Sequence, residues 1–393
     1  MPDQQPKPIT VQPTANTLPF TGGVRVQLQL SPLAQGRVVL AAQVSCVRPD
    51  AGRALAGLPI ETAWQRLPHL LSLCPIAQQT AAAQAFAALA LAQPSHVLLP
   101  AQIQSPPTEQ LAAEWMREHA WQNWQLLALD RDAMPFLADT RVLRHPDRQG
   151  WETAFTHLCG LSAEAFCSLA SFEDWIAWMQ HSTAPYPALL HRYLPLLSFG
   201  AQSTCSQPES GAFGRQYAHP LIQALIGRYG NGIAARLTAR WLEMARLIAE
   251  PAEQVILSGA DQTATCEKGE SSDMSPSIWR VSGHAMASRG SLSHRITVQN
   301  TVQNTASDDD PKFACWQIAR WEIDAPTDRY FARGGLLEQA LNGQTADDQQ
   351  QALRATELLL RAIDPCVGFE IVCAPIEVQK ERQHEVTKSK ASL

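Results

Sequence analysis

The alternation of apolar and polar residues near the N-terminus predicts a β-hairpin. Residues 24–30 alternate strictly, Gly36 interrupts the pattern, and residues 38–47 form a second apolar run. Alternation with a period of two places every second side chain on one face of a strand. A glycine between two such runs favours a turn. We therefore expect two antiparallel strands where the folded part of the chain begins.

Most of the remaining chain has the apolar spacing of helices. The predicted helices comprise residues 61–71, 76–92, 108–129, 233–249, 335–341 and 347–363. Residues 150–197 also favour helices, which prolines and aromatic residues interrupt, and residues 313–323 resemble a strand. The polar residues 254–282 show little periodicity and are predicted to form a loop. The expected fold class is α+β, rich in helix, with an N-terminal antiparallel hairpin and a central helical bundle.

Two shorter patterns favour structure over ligand binding. Residues 230–235 match the glycine spacing of a dinucleotide-binding loop, but the preceding residues favour a helix, so a helix–helix turn is predicted. The acidic residues 308–310 could bind a hard cation, although a solvated hairpin tip is the better interpretation. The tryptophans of the helix predicted at 108–129 are assigned to the core.

Composition limits the class of protein. With 393 residues, 45% of them hydrophobic, the chain can bury a large core. A net charge of -6 and a pI near 6.0 argue against nucleic-acid or anionic-membrane partners. Nine cysteines without a CxxC pair indicate neither a zinc ribbon nor a disulfide framework. We expect a cytoplasmic protein with a disordered arm at 1–18, one domain at 19–373 and a charged tail at 374–393.

Cys74 directly precedes a predicted helix, which begins with a proline. Backbone N–H groups at a helix N-terminus have no partner within the helix and stabilise nearby negative charge. We therefore expect a lowered pKa for the Cys74 thiol and a preference for anionic ligands beside it.

Several separated stretches, in the same order, resemble motifs of the large subunits of [NiFe]-hydrogenases. Residues 19–26 resemble RIEGHLRI, 71–78 resemble CGVCPxxH, 287–294 resemble APRGALGH, 325–327 resemble VPT, 338–343 resemble EQALIG, and 364–366 begin the final DPCxxC motif. The resemblance spans residues 19–373 and implies a large-subunit-like fold.

This chain departs from the family motifs at positions that the enzyme needs. Leu71 and Phe369 stand where the family has cysteines, Gln78 and Val372 where it has histidines, and Thr21 where it has a proton-relaying glutamate. In the family four thiolates hold nickel and iron. Two thiolates cannot build that nickel site, so the resemblance implies neither nickel nor enzymatic activity.

Some of the residues that hold the metals and the cyanide ligands in the family remain in this chain. In the family the iron carries two cyanides and one carbon monoxide, and an arginine with a Pro-Thr or Pro-Ser pair holds the cyanides. The resemblance implies that Cys74 and Cys366 bind iron, while Arg289, Pro326 and Thr327 cradle the cyanides. Ser288 stands where the family has a proline.

Two alternatives for the ligands stay open. Cys74 matches a position that bridges both metals, whereas Cys366 matches one that binds nickel alone. If both cysteines bind one iron, the iron unit must therefore be displaced from its place in the enzymes of the family. Cys74 alone could bind it, or Cys373 could contribute, although a structural thiol is the preferred interpretation of Cys373.

Loss of catalytic ligands beside a retained iron pocket resembles the HupK/HoxV-type hydrogenase maturation proteins. The resemblance implies a scaffold or chaperone that holds an Fe(CN)2CO unit before its transfer. Its partners would be HypC/HypD-type maturation proteins and the hydrogenase large-subunit precursor. With Val372 at the processing position, the tail at 374–393 is expected to be retained.

Two other functions are compatible with the sequence. One is a metal-free structural or interaction subunit that keeps the large-subunit-like fold. The other is a redox enzyme with an unusual iron site, which would need an iron–sulfur cluster from a partner because this chain has no CxxC pair.

Overall fold

The computed structural model describes residues 22–93, 102–129, 147–201, 209–257, 264–268, 278–301 and 315–373. The expectations for the arm at 1–18, for residues 19–21, for the acidic residues 308–310 and for the tail at 374–393 lie outside the described residues.

The described residues form an α+β structure that is rich in helix, as predicted. The strands are β1 (Gly23–Pro32), β2 (Val38–Val47), β3 (Thr265–Lys268), β4 (Ile278–Ala287), β5 (Gly290–Thr301), β6 (Cys315–Asp324), β7 (Thr345–Ala346) and β8 (Gly368–Cys373). The first helices are α1 (Ala51–Leu55), α2 (Ile60–Leu70), α3 (Pro75–Ala92), α4 (Thr108–Leu127), α5 (Arg148–Cys159), α6 (Ala163–Cys167), α7 (Phe172–His181) and α8 (Pro185–Arg192). The later helices are α9 (Ala212–Arg215), α10 (Pro220–Tyr229), α11 (Ile233–Ala249), α12 (Ala252–Leu257), α13 (Pro326–Tyr330), α14 (Leu336–Leu341) and α15 (Gln349–Ile363).

The first sheet contains the predicted hairpin and joins both ends of the described chain. Its strand order is β7-β2-β1-β8, with β2 antiparallel and β8 parallel to β1. Alternate β1 side chains, including Val24, Val26 and Leu28, are buried, which explains the alternation in the sequence. Because Gly23 pairs with both Val47 and Gly368, the end of β2 and the start of β8 lie at the same end of the sheet, on opposite sides of β1.

The second sheet is a four-stranded antiparallel meander in the order β3-β4-β5-β6. The tight β4–β5 turn, closed by the pairing of Ala287 with Gly290, carries Ser288 and Arg289. Helix α3 lies directly on β4 at Gly283, where a Cβ atom would be 2.0 Å from the carbonyl oxygen of Ala81. This sheet therefore supports α3 on one side and presents Arg289 at its end.

A helical core fills the middle of the chain around α11, most of whose residues are buried. Its aromatic residues pack closely, with ring centroids 4.4 Å apart for Tyr186 and Trp241 and 5.4 Å apart for Phe155 and Trp241. This is the predicted central bundle. In the part of the chain that the structure describes, no helix has both the length and the apolar character needed to cross a membrane.

The sequence predictions were wrong at residues 254–282 and incomplete at the C-terminal end. Much of the predicted loop is regular, because it contains most of α12, all of β3 and the start of β4. Strand β3 is a short, largely exposed edge strand and so carries no apolar alternation. Strand β8 was not predicted. The prediction at residues 230–235 is confirmed, since α10 ends at Tyr229 and α11 begins at Ile233.

Candidate functional site

The C-terminal motif begins where α15 ends. Asp364 follows the helix with a left-handed backbone (φ 70°, ψ 77°), and its N–H still donates to the Leu360 carbonyl at 2.9 Å. Arg240 Nη2 donates to the carbonyls of Arg361 and Ala362 at 2.7 and 3.2 Å. A cation at a helix C-terminus is favourable because the last carbonyls lack partners within the helix. Arg240 therefore fixes the point from which the motif departs.

Cys366 lies against the Pro-Thr pair. Its backbone N–H donates to Thr327 Oγ1 at 3.1 Å, across 39 positions of sequence. Thr327 is buried, and Pro326 occupies the first turn of α13, where the missing N–H of proline has no consequence. The structure thus joins three of the predicted site residues.

Arg289 is buried between two carboxylates. Its Nη1 donates to Glu118 Oε2 at 2.9 Å and its Nε donates to Asp364 Oδ1 at 3.1 Å. Burial alone would lower the pKa of Arg289, but Asp364 and Glu118 outweigh it and hold the pKa above its ordinary value. Asp364, the partner of Arg289, lies two residues before Cys366 in the sequence. The two bonds leave three of the five N–H donors of Arg289 unused.

The expectation of a lowered pKa for Cys74 was wrong. Cys74 immediately precedes α3 in a left-handed conformation, and burial raises its pKa, with Glu114 adding to the effect and Arg289 opposing it. The helix N–H groups that would stabilise a thiolate are taken, because Ile76 and Ala77 donate to Glu114 at 2.6 and 3.0 Å. The free protein therefore holds Cys74 as a thiol.

A chain of hydrogen bonds leads to the Cys74 sulfur. Trp321 Nε1 donates to His294 Nδ1 at 3.2 Å, and His294 Nε2 donates to Gln78 Oε1 at 2.6 Å. Gln78 Nε2 then donates to Cys74 Sγ at 3.9 Å. Gln78, which replaces the family histidine, thereby links Cys74 to the second sheet.

The neutral state of His294 gives a testable pH dependence. Burial lowers its pKa from 6.5 to about 3. Between pH 6.5 and about 3, His294 binds a proton in the unfolded chain but not in the folded chain. The contribution of His294 to the free energy of unfolding is therefore fully present above pH 6.5 and is lost as the pH falls toward 3. We expect His294→Gln to reduce the slope of unfolding free energy against pH by up to ~1.4 kcal/mol per pH unit within that window. Urea unfolding at several pH values measures the slope.

The control for His294 is His69→Gln, since His69 is exposed on α2. This variant should keep the wild-type slope. Equal slopes for His294→Gln and the wild type would contradict the neutral, buried assignment.

The sequence reasoning missed Cys46, which lies at the end of β2 near the predicted site. Burial raises the pKa of Cys46 to about 11, and Asp328 and then Cys366 add to this effect. Arg48 Nη1 donates to Asp328 Oδ2 at 2.8 Å beside it. Cys46 opens onto a cavity of about 540 Å³, whose lining residues include Gln27, Gln43, Ser45, Asp328 and Arg333. Only the strand register brings Cys46 here, so no local motif marked it.

Glu114 and Glu118 were also missed. Both are buried on α4. Two acids four residues apart lie on the same helix face. Acids on a face that also carries Trp115 are unusual in a core helix, and that pattern could have identified them.

The structure brings most of the predicted site together. Thr327 contacts Cys366, Arg289 joins Cys366 through Asp364, and Cys74 lies within electrostatic range of both Arg289 and Cys366. Among the described residues no group of three or more His, Cys, Asp or Glu side chains is arranged to hold a metal. Iron binding by Cys74 and Cys366 therefore stays a prediction.

Cys373 lies away from this cluster. It ends β8, about 17 Å along the strand from Gly368 at the usual rise per residue. Gln349 Nε2 donates to its sulfur at 3.7 Å. Its position supports the structural interpretation of this thiol.

Comparison with solved structures finds hydrogenases. A [NiFeSe] hydrogenase of Desulfovibrio vulgaris Hildenborough aligns with a TM-score of 0.48 at 13% identity, covering 88% of this chain and 98% of that chain. A [NiFeSe] hydrogenase of Desulfomicrobium baculatum aligns with a TM-score of 0.47 at 14% identity, covering 86% and 95%.

Comparison with curated sequences finds hydrogenase expression/formation proteins, whereas no family model matches the chain. HupV of Azotobacter chroococcum mcd 1 is 25% identical, covering 88% of this chain and 98% of HupV. HupK of Bradyrhizobium diazoefficiens is 30% identical over 44% of this chain and 40% of HupK. In sequence the chain is thus similar to hydrogenase expression/formation proteins, and it carries a reduced set of motifs that resemble those of [NiFe]-hydrogenase large subunits.

Proposed function

We propose that this protein is a non-catalytic scaffold in [NiFe]-hydrogenase maturation, which holds an Fe(CN)2CO unit before its transfer to the large-subunit precursor. The observation that carries the proposal is the contact between Cys366 and Thr327 beside the Arg289–Asp364 pair. These residues come from three distant segments. In the resembling family, Arg289 and Thr327 match positions that hold the cyanides of the iron, whereas Cys366 matches a position that binds nickel.

The chemistry of the cluster suits small anionic ligands. Arg289 has N–H donors beyond those used by Glu118 and Asp364, and Thr327 can donate its hydroxyl proton because its oxygen accepts from Cys366. Donors to cyanide nitrogen in a buried setting form strong, directional hydrogen bonds. The protein would orient the unit through its cyanides and hold the iron through thiolates.

The same cluster suits temporary holding. Two carboxylates offset the charge of Arg289, so the site lacks a strong excess of positive charge. Two thiolates hold the iron unit less tightly than the finished enzyme site, in which four thiolates hold nickel and iron together, and transfer to the precursor is therefore downhill. The similar proteins HupV and HupK are named hydrogenase expression/formation proteins, which agrees with a role before catalysis.

The partners follow from this role. A HypC/HypD-type complex would supply the iron unit and the large-subunit precursor would receive it. We place both steps in the cytoplasm, before the precursor matures.

Infrared spectroscopy tests the proposal. Protein purified without oxygen from cells that contain the maturation machinery should show cyanide and carbonyl stretching bands, and Cys366→Ser and Cys74→Ser should each lose them because a thiolate ligand is gone. Cys266→Ser is the matched control, since Cys266 lies on β3 in the second sheet. Wild-type protein without bands, or variants that keep them, would refute iron holding by these cysteines.

One observation favours a second candidate, the metal-free interaction subunit. Glu118 and Asp364 already satisfy the charge of Arg289 without any cargo. On that alternative, Cys74→Ser and Cys366→Ser would support hydrogenase assembly as well as the wild type does. Hydrogenase activity in cells complemented with each variant separates the two candidates.

A further inference from the structure

Several buried side-chain polar atoms lack a hydrogen-bond partner among the described residues, and three of these atoms belong to residues that line one cavity. They are His119 Nδ1, Arg240 Nη1 and Ser288 Oγ, and each residue is at most 3% exposed. All three residues line one cavity of about 30 Å³, which Arg289 and Asp364 also border. Buried polar atoms are nearly always paired, so a shared cavity beside three unpaired ones indicates a missing ligand.

The protonation state of His119 determines whether the ligand must donate or accept a hydrogen bond on that side. Burial opposes ionisation of Glu243, but Arg215, which donates to both carboxylate oxygens at 2.6 Å, outweighs it and lowers the pKa of Glu243 to about 2. The carboxylate therefore accepts from His119 Nε2 at 2.7 Å. Burial lowers the pKa of His119, so the ring is neutral and its Nδ1 is an acceptor.

Arg240 defines the other side. Its Nη1 can only donate, while the Ser288 hydroxyl can donate or accept. The ligand must therefore accept from Arg240 and donate to His119. An apolar group does neither, and a halide ion has no proton to donate.

The size of the cavity and the charges around it further restrict the kind of ligand that can bind. A water molecule needs about 10–15 Å³ of such space, so the cavity holds one or two waters and excludes a carboxylate or a phosphate. The charged groups around it balance. They are the guanidiniums of Arg215, Arg236, Arg240 and Arg289 and the carboxylates of Glu118, Glu209, Glu243 and Asp364. A balanced surrounding favours a neutral ligand.

We propose that this cavity is a binding site for an ordered water molecule that accepts from Arg240 Nη1, donates to His119 Nδ1 and is bonded to Ser288 Oγ. The water joins α4, α11 and the β4–β5 turn that carries Arg289. Ser288 replaces the proline of the resembling family motif, and a proline would supply no hydroxyl here.

A crystal structure of the full chain, soaked in sodium bromide, tests this site. The expected result is one density peak within hydrogen-bond distance of all three atoms and no anomalous bromide signal in the cavity. An empty cavity, an anomalous peak there, or direct hydrogen bonds among the three side chains would each overturn the proposal.

Ser288→Val provides a second readout in the same crystals. The branched apolar side chain removes one partner and fills part of the space, so the peak should disappear. Ser282→Val, on the preceding strand β4 and outside the cavity lining, should leave the peak unchanged. A peak that persists in Ser288→Val would show that Ser288 does not hold the water.

Discussion

Replacement of Arg289 by leucine is expected to lower the free energy of unfolding by about 3–5 kcal/mol. The guanidinium and its partners Glu118 and Asp364 have side chains only 3–7% exposed. Leucine would leave two buried carboxylates without their shared cation, and taking an unpaired charge out of water is strongly unfavourable. Urea unfolding at neutral pH, followed by tryptophan fluorescence, measures the loss.

Two controls isolate the charge effect at Arg289. The triple variant Arg289→Leu, Glu118→Gln, Asp364→Asn removes all three charges and should recover most of the loss. Arg320→Leu breaks the exposed pair with Glu322, whose side chains are 71% and 43% exposed, and should change stability by no more than ~0.5 kcal/mol. If Arg289→Leu were as mild as Arg320→Leu, the buried pairing would be refuted.

Gly283→Ala is expected to destabilise the protein by about 3 kcal/mol or more. A Cβ atom at this position would lie 2.0 Å from the Ala81 carbonyl oxygen and 2.5 Å from the Ala85 nitrogen. Both are backbone atoms of α3, so no side-chain rotation can relieve the overlap, and α3 must move away from β4. Because Cys74 immediately precedes α3, the infrared bands expected of the loaded protein should weaken as well.

The matched control is Gly227→Ala on α10, where no atom outside the local helix backbone and the neighbouring residues lies within 4 Å of the added Cβ. Alanine favours a helix interior over glycine by about 0.5–1 kcal/mol, so this variant should be neutral or slightly stabilised. Thermal unfolding of both variants gives the comparison. Equal melting temperatures for the two would mean that α3 does not lie against β4 at Gly283.

The spacing of apolar residues correctly predicted the strands and helices in which this spacing is regular over many residues. The hairpin was predicted because β1 buries every second side chain, and α11 because its apolar residues recur at helical spacing over 17 residues. Strand β8 was missed because it is six residues long and pairs with β1 across more than 300 residues. No local pattern specifies such a partner.

Only part of the candidate site could be predicted from the sequence. Family resemblance identified Cys74, Arg289 and Cys366, but their surroundings depend on contacts between distant segments. The pKa of Cys74 was predicted in the wrong direction because Glu114, 40 positions later in the sequence, occupies the helix N–H groups. The role of a helix terminus thus depends on which side chains reach it in the folded chain.

The strand order of the first sheet has a consequence for synthesis on the ribosome. Strand β1 can pair with β2 as soon as both have emerged, but β8 is added to its other edge only after residues 368–373 are made. Cys366 lies two residues before the start of β8, so a nascent chain lacking this last segment carries Cys74 without its proposed partner. Completion of the proposed cluster is therefore a late event in the synthesis of residues 22–373, and the proposed iron loading would follow the folding of the earlier segments.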